Sequence, residues 1–204
     1  MLKHLRSSLM LLVILTMVTG LAYPFTVTGL AAMLFPHQAE GSLIRQGATV
    51  VGSELIGQTF VSPQYFWGRP SATTATDPDD ASKTVAAPYN AANSGASNLA
   101  PSAKSLVETV QARTDALKAA NPGQTDPIPA DLLTASASGL DPDISPDAAY
   151  WQVKRVAQAR HISEPILRKF VSGHVENRSL GFLGEPRVNV LKLNLDLDAR
   201  WPMQ

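Results

Sequence analysis

The chain contains no cysteine, which excludes disulfides, thiolate metal sites and cysteine nucleophiles and leaves the redox compartment open. It also has no excess charge of either sign, with 17 Lys and Arg against 17 Asp and Glu. No basic run follows the N-terminal apolar stretch, so no nucleic-acid partner is expected. The four histidines, His4, His37, His161 and His174, lack metal-ligand spacing. His174 has no Glu-x-x-His partner of the kind a zinc protease needs. Surface or capping roles are expected for all four, with no metal bound. No serine stands in a Gly-x-Ser-x-Gly elbow, and no catalytic constellation is visible. The last absence is local. Between Ser7 and Pro36 the chain has no ionisable side chain except Tyr23.

That absence defines a long apolar run, preceded by Lys3, His4 and Arg6. A transmembrane helix needs roughly 20 mostly apolar residues, so this run is long enough to span a bilayer. A cleaved signal peptide would use Lys3 and Arg6 as its basic region and Gly20-Leu21-Ala22 as its cleavage site. The apolar sequence continues through Phe25, Val27, Leu30, Met33 and Phe35, which favours an uncleaved anchor. Pro24 removes a backbone donor mid-run, and a kink or a helix–helix contact is expected there. Thr16 and Gly20 are four apart and could form a small-residue face for helix packing. Lys3 and Arg6 lie on one side of the run, and the next basic residue is Arg45. The positive-inside bias therefore places residues 1–6 in the cytoplasm, a single-pass helix over 7–36, and a domain over 41–204 on the periplasmic side.

The soluble part is long enough for one modest domain. Residues 41–67 carry short apolar clusters (Ala48 to Val51, Leu55-Ile56, Phe60-Val61) separated by glycines, which predicts short strands and turns. Residues 68–101 are rich in Ser, Thr, Ala, Asn, Asp and Pro. Such a composition buries little area, so the segment reads as a floppy loop unless it docks on something. A helix is expected from a Ser102 cap to about Ala120, with Leu106, Val107, Val110 and Leu117 on one face and Asn121-Pro122-Gly123 as its stop. Ser145-Pro146-Asp147 starts a second helix to about Ala159, burying Ala149, Val153, Val156 and Ala157. Ser163-Glu164-Pro165 starts a third, to about Gly173, with Ile166, Leu167, Phe170 and Val171 inward. Leu191, Leu193, Leu195 and Leu197 alternate with polar residues, which argues a half-buried strand, although Leu-rich runs also form helices. The fold class is α+β: one N-terminal transmembrane helix followed by a mixed, helix-rich domain.

Two stretches could contact a partner or a neighbouring loop. Ser94, Gly95, Ser97 and Asn98 lie in a turn-rich loop whose N–H groups could form a nest for an anion or for carbonyls. The loop lacks the Gly-Lys-Ser/Thr ending of a P-loop. Gly139 and Asp141 lie in the Ser136–Pro146 stretch, where Asp141 and Asp143 could bind a cation, although Asp-Pro and Ser-Pro are turn and cap chemistry first. Arg69 is the only arginine in 68–101, and its five-donor fork suits a partner's carboxylate or a loop's carbonyls.

In order along the chain stand Ser53-Glu54-Leu55-Ile56-Gly57-Gln58, Tyr65-Phe66-Trp67-Gly68-Arg69-Pro70-Ser71, Ser94 to Leu99, Ser138-Gly139-Leu140-Asp141-Pro142 and Arg187-Val188-Asn189-Val190-Leu191. Together, behind one N-terminal anchor, these blocks closely resemble the KdpC family, the C subunit of bacterial Kdp potassium-transporting P-type ATPases. Two positions depart from the family pattern: Ala96 replaces the second glycine of the Ser-Gly-Gly-Ser-Asn-Leu block, and Asp143 stands where many relatives carry histidine. The resemblance implies an accessory subunit of the cell inner membrane, without catalysis of its own. Its partners would be a channel-like potassium-translocating subunit, an ATP-hydrolysing P-type subunit and a small single-span subunit. The family is described as a catalytic chaperone that raises the ATPase subunit's affinity for ATP. A periplasmic domain cannot meet cytoplasmic ATP, so no cofactor is expected to bind this chain directly, and ATP and potassium are left to the complex. The alternative reading is an anchored or secreted small-anion binding module built on the loop around Gly95.

Overall fold

Proline at position 24 has no N–H to offer the carbonyl of Gly20, and the first helix absorbs this by a change of pitch rather than a break. A computed structural model describes residues 2–202. In it α1 (Leu2–Met17), a π turn (Val18–Ala22) and α2 (Tyr23–Leu34) follow one another directly. The N–H of Tyr23 reaches Val18 O, and the Thr19 and Thr26 hydroxyls each donate 2.7 Å bonds to carbonyls four residues back. Gly20 lies within the π turn, so it does not stand from Thr16 as it would on an uninterrupted α-helix. Within this stretch His4–Leu34 spans 31 residues, is long and apolar enough to cross a membrane, and is nowhere buried across its apolar window. At 1.5 Å per residue that is about 46 Å, more than the roughly 30 Å hydrocarbon core.

A short α3 (Pro36–Ala39) leads into a hairpin of β1 (Leu43–Gln46) and β2 (Thr49–Ser53), with an irregularity between Ile44 and Arg45. The hairpin matches the expectation for its segment, but Leu55-Ile56 and Phe60-Val61 form no strand. One compact unit ends at Ser53 and the second begins at Glu54.

In the second unit β3 (Thr74–Thr76) pairs with β4 (Thr84–Ala86) and precedes α4 (Lys104–Ala120). A 3-10 turn (Ala130–Leu132) and β5 (Asp143–Ile144) lead to α5 (Pro146–Arg160) and α6 (Glu164–Gly173). β6 (Val188–Asn189) returns antiparallel to β5, and α7 (Val190–Arg200) closes the fold. The core gathers Phe66, Ile144, Val153, Val156, Leu167, Val171, Leu193 and Leu197, all buried. Burying each such side chain is worth roughly 1.5–3 kcal/mol.

Ser145 caps α5 as expected, its hydroxyl accepting the Ala148 N–H at 3.0 Å. Ala149, Val153, Val156 and Ala157 are buried, and His161 ends the helix in the left-handed conformation at φ 56. Three expectations are corrected. Ser102 does not cap α4; the helix starts at Lys104 behind Ala103 without a side-chain cap, and Val107 is exposed. In α6 Leu167, Phe170 and Val171 turn inward, but Ile166 stays exposed. Most consequentially, Leu191–Leu197 is helix, not strand. The buried set Val190, Leu191, Leu193, Asn194 and Leu197 has helical spacing, and Asn189 caps the first turn by accepting the Lys192 N–H at 3.0 Å. The alternating leucines hide this because Asn194 reads as a solvent residue by its type, whereas it is buried.

The polar segment 68–101 is likewise not a structureless loop. The Asn90 and Asn93 side-chain amides donate to Thr74 O at 2.8 and 2.9 Å, and the β3–β4 pair is built between them. Hydrogen bonds from short polar side chains supply the order that apolar burial does not.

Candidate functional site

The segment carrying Tyr65-Phe66-Trp67 runs past α5 and α7 without pairing to another strand, yet its backbone groups are satisfied. The Asn194 amide both accepts from Phe66 N–H and donates to Phe66 O, each at 2.9 Å. Gln152 does the same for Trp67, at 2.8 and 3.0 Å. Arg155 donates to the carbonyls of Pro63 and Tyr65 and to the Asn121 and Gln152 side chains. Its guanidinium lies 3.9 Å from the Trp67 ring centroid, and burial pulls its pKa down to about 10. One turn on, Arg160 donates to Gln64 O at 2.8 Å and pairs with Asp198 at 2.6 Å.

This support delivers Arg69, two residues after Trp67, to Asp141, and the two pair at 3.0 Å. Asp141 also accepts the Asp143 N–H at 3.0 Å, forming the Asp-Pro turn that leads into β5. Ser71 and Thr73 extend the contact. The Ser71 hydroxyl donates to Gly139 O at 2.7 Å and accepts the Tyr89 N–H at 2.9 Å. The Thr73 hydroxyl donates to Ala87 O at 2.6 Å and accepts the Asn90 N–H at 3.1 Å. Tyr89 donates to Arg69 O at 2.6 Å, and its hydroxyl pKa is pushed up to about 12, first by burial and then by the charge of Asp141, with Arg69 opposing. Each hydroxyl thus donates to a backbone carbonyl, an arrangement that fixes loops rather than one that activates a nucleophile.

Two glycines permit the approach. Gly139 has φ +66, and a side-chain carbon there would fall 2.6 Å from Gly95 O. A carbon on Gly57 would fall 2.8 Å from Asp141 O, while the Gly57 N–H donates to Leu140 O at 2.9 Å.

Of the candidate residues, Arg69, Ser94, Gly95, Gly139 and Asp141 converge. The Gly95 N–H and the Ser94 hydroxyl both donate to Ser138 O, at 2.9 and 3.0 Å. Ser97 and Asn98 do not join them; both are exposed, with Asn98 at φ 51. Thr16 and Gly20 belong to the first unit, and nothing lies within 4 Å of where a Gly20 side chain would start. Sequence reasoning missed Gln152, Arg155, Arg160 and Asn194. The available signal was their position on faces otherwise apolar: Gln152 follows Ala148 by four, and Asn194 follows Val190 by four.

Arg69 and Asp141 also line an acidic cleft of about 620 Å³ with Asp131, Asp143, Asp147, Glu185 and Arg187. The Asp143 carboxyl is raised above its ordinary value, first by burial and then by Asp141, while Arg187 at 3.2 Å opposes the shift. Asp131 accepts the Ser145 N–H at 2.7 Å. Among the described residues no group of three or more His, Asp or Glu is placed to hold a metal ion.

Comparison with known proteins supplies the context for this geometry. The family model of KdpC, described as K+-transporting ATPase, c chain, matches residues 5–199. The potassium-transporting ATPase KdpC subunit of Methylobacterium nodulans is 60% identical over 198 residues, covering 97% of this chain and 98% of that one. Its counterpart in Rhodopseudomonas palustris is 60% identical over 199 residues, covering 98% and 99%. That of Methylorubrum extorquens is 61% identical over 197 residues, covering 97% of each chain.

Proposed function

The chain belongs to the KdpC family, the c chain of K+-transporting ATPases, and from that premise we propose an accessory, non-catalytic subunit that assembles and stabilises an ATP-driven potassium import pump. The observation that carries this reading is the family match along nearly the whole chain. Its partners are the channel-like potassium-translocating subunit, the ATP-hydrolysing P-type subunit and the small single-span subunit. The bare apolar helix His4–Leu34 supports a single-pass anchor in the inner membrane. Lys3 and Arg6 ahead of it support a cytoplasmic N-terminus, with the second unit outside, over or beside the mouth through which potassium enters.

As a catalytic chaperone the chain acts through assembly and pump turnover rather than direct nucleotide contact. A triphosphate needs several N–H donors and a nearby cation. The Gly95 N–H already donates to Ser138 O, and Lys104, the nearest basic residue after the loop, pairs with Glu108 at 3.4 Å. Arg69→Ala, which removes the pair with Asp141, is expected to reduce potassium-stimulated ATP hydrolysis by the assembled pump or to weaken its assembly.

Pull-down of the chain from detergent-solubilised membranes, followed by mass spectrometry, tests the reading. The potassium-translocating and ATP-hydrolysing subunits are expected to copurify, and recovery of the chain alone from intact membranes would contradict it. Calorimetry tests the nucleotide statement separately. Binding of ATP to the purified chain is expected no tighter than the millimolar range, roughly 4 kcal/mol. Saturable micromolar binding lost on Ser97→Ala would restore direct contact.

A further inference from the structure

Arg69 also borders a second cleft, of about 390 Å³, whose chemistry is different from that of the acidic one. Its walls are apolar, built from Phe60, Trp67, Tyr89, Leu117 and Leu132, and among the described residues no carboxylate lines it. Two guanidinium groups do. That of Arg69 is paired with Asp141, although its Nε is buried without an acceptor. That of Arg113, presented by α4, donates to Leu133 O at 2.8 Å and has no carboxylate partner among the described residues. Burial lowers the Arg113 pKa, so the surroundings disfavour its charge as they stand.

The cleft therefore carries one uncompensated positive charge against apolar walls. A charge in such a place is costly unless an opposite charge reaches it. Water solvates it only from the open side, whereas a carboxylate matches the planar fork with two parallel hydrogen bonds. The mostly apolar walls would leave a phosphate's further oxygens desolvated without donors, which favours a carboxylate on an apolar body over inorganic phosphate. The volume falls within the range of about 300–1,000 Å³ typical of small-molecule sites. We infer that this cleft binds a small organic monoanion, an apolar ring or chain bearing a single carboxylate, with Arg113 holding the carboxylate and Trp67, Tyr89 and Leu117 holding the apolar body. The site is separate from the Gly95 loop and does not rest on the pump reading.

Calorimetry on the full chain in detergent micelles tests it, with phenylacetate as probe and empty micelles as blank. Phenylacetate is expected to bind saturably. Phenylacetamide, which keeps the ring and loses the charge, is expected to bind at least about tenfold more weakly, as is phenylacetate to Arg113→Gln, since a charge-assisted pair is lost in each case. Inorganic phosphate is expected not to compete. Ala116→Trp places a large ring in the same cleft from α4 without touching either arginine's charge, and it is expected to abolish binding while the melting temperature holds. Absence of saturable phenylacetate binding, equal affinity for phenylacetamide, or unchanged binding by a folded Arg113→Gln protein would overturn the assignment. Should Arg113→Gln fail to fold, unchanged binding by Ala116→Trp would overturn it equally.

Discussion

Helices α5 to α7 and the stretch 62–101, which carries Phe66 and Trp67 into the polar segment 68–101, lie in the same unit, yet they are held in different ways. The helices are held by apolar burial: Val153, Val156, Leu167, Val171, Leu193 and Leu197 are all fully enclosed. The segment buries Phe66 and otherwise depends on side chains that bond to backbone, namely Asn194, Gln152, Arg155, Ser71 and Thr73. At Phe66 and Trp67 the Asn194 and Gln152 side chains take the place of a strand partner, and beyond them Ser71, Thr73, Asn90 and Asn93 order a run poor in large apolar residues. Local composition does not decide order when the hydrogen-bond partner is distant in sequence, as Asn194 is from Phe66 at a separation of 128 residues.

The largest expected effect lies on the apolar side of this comparison. Leu197→Ala should destabilise the full chain by roughly 2–5 kcal/mol in denaturant titration, because a fully buried leucine leaves a cavity. Asn194→Ala should cost about 2–4 kcal/mol, since it strands both the N–H and the carbonyl of Phe66. Asn194→Leu sharpens the contrast. It adds apolar surface and should still destabilise; a leucine variant as stable as wild type would mean that burial alone holds both regions. Thr73→Val keeps the side-chain volume and removes one hydroxyl, at a cost of about 1–2 kcal/mol. The loss should be local, with faster hydrogen exchange at the Asn90 amide and unchanged exchange in α5.

The smallest effect concerns pH. The Asp143 carboxyl is raised in the fold above its ordinary 3.8, so just above that pH the folded state holds a proton that the unfolded chain has released. Stability from this group is present below pH 3.8 and is lost as pH rises through the higher folded value. Asp143→Asn should flatten that decline in a pH series of melting temperatures and cost no stability at neutral pH. A decline of unchanged slope would place its source in another carboxylate.

The helices that begin at Ser145-Pro146-Asp147 and Ser163-Glu164-Pro165 were legible because their signals are local. Ser145-Pro146-Asp147 fixes the start of α5, and the spacing of Val153, Val156 and Ala157 fixes its face. The helix over Val190–Arg200 was not legible, because four leucines at period two outweigh one buried asparagine unless that asparagine's partner is known. At the candidate site Arg69 and Asp141 were visible as chemistry but not as a pair, since 72 residues separate them. Gly139 was visible as a turn glycine, and only the fold shows Gly95 O pressed against it. Arg155 and Arg160 escaped notice because charged residues on a helix usually face solvent, and these two are buried by bonding to carbonyls of a distant segment.

In the proposed topology the domain lies outside the cytoplasm and acts on the pump without meeting ATP. Paired fusions after Gln204 test this most directly, one carrying alkaline phosphatase and the other a reporter that fluoresces only in the cytoplasm. The expected result is an active phosphatase and a dark fluorescent reporter. A bright reporter with an inactive phosphatase would contradict the claim and return the domain to the side where ATP is present.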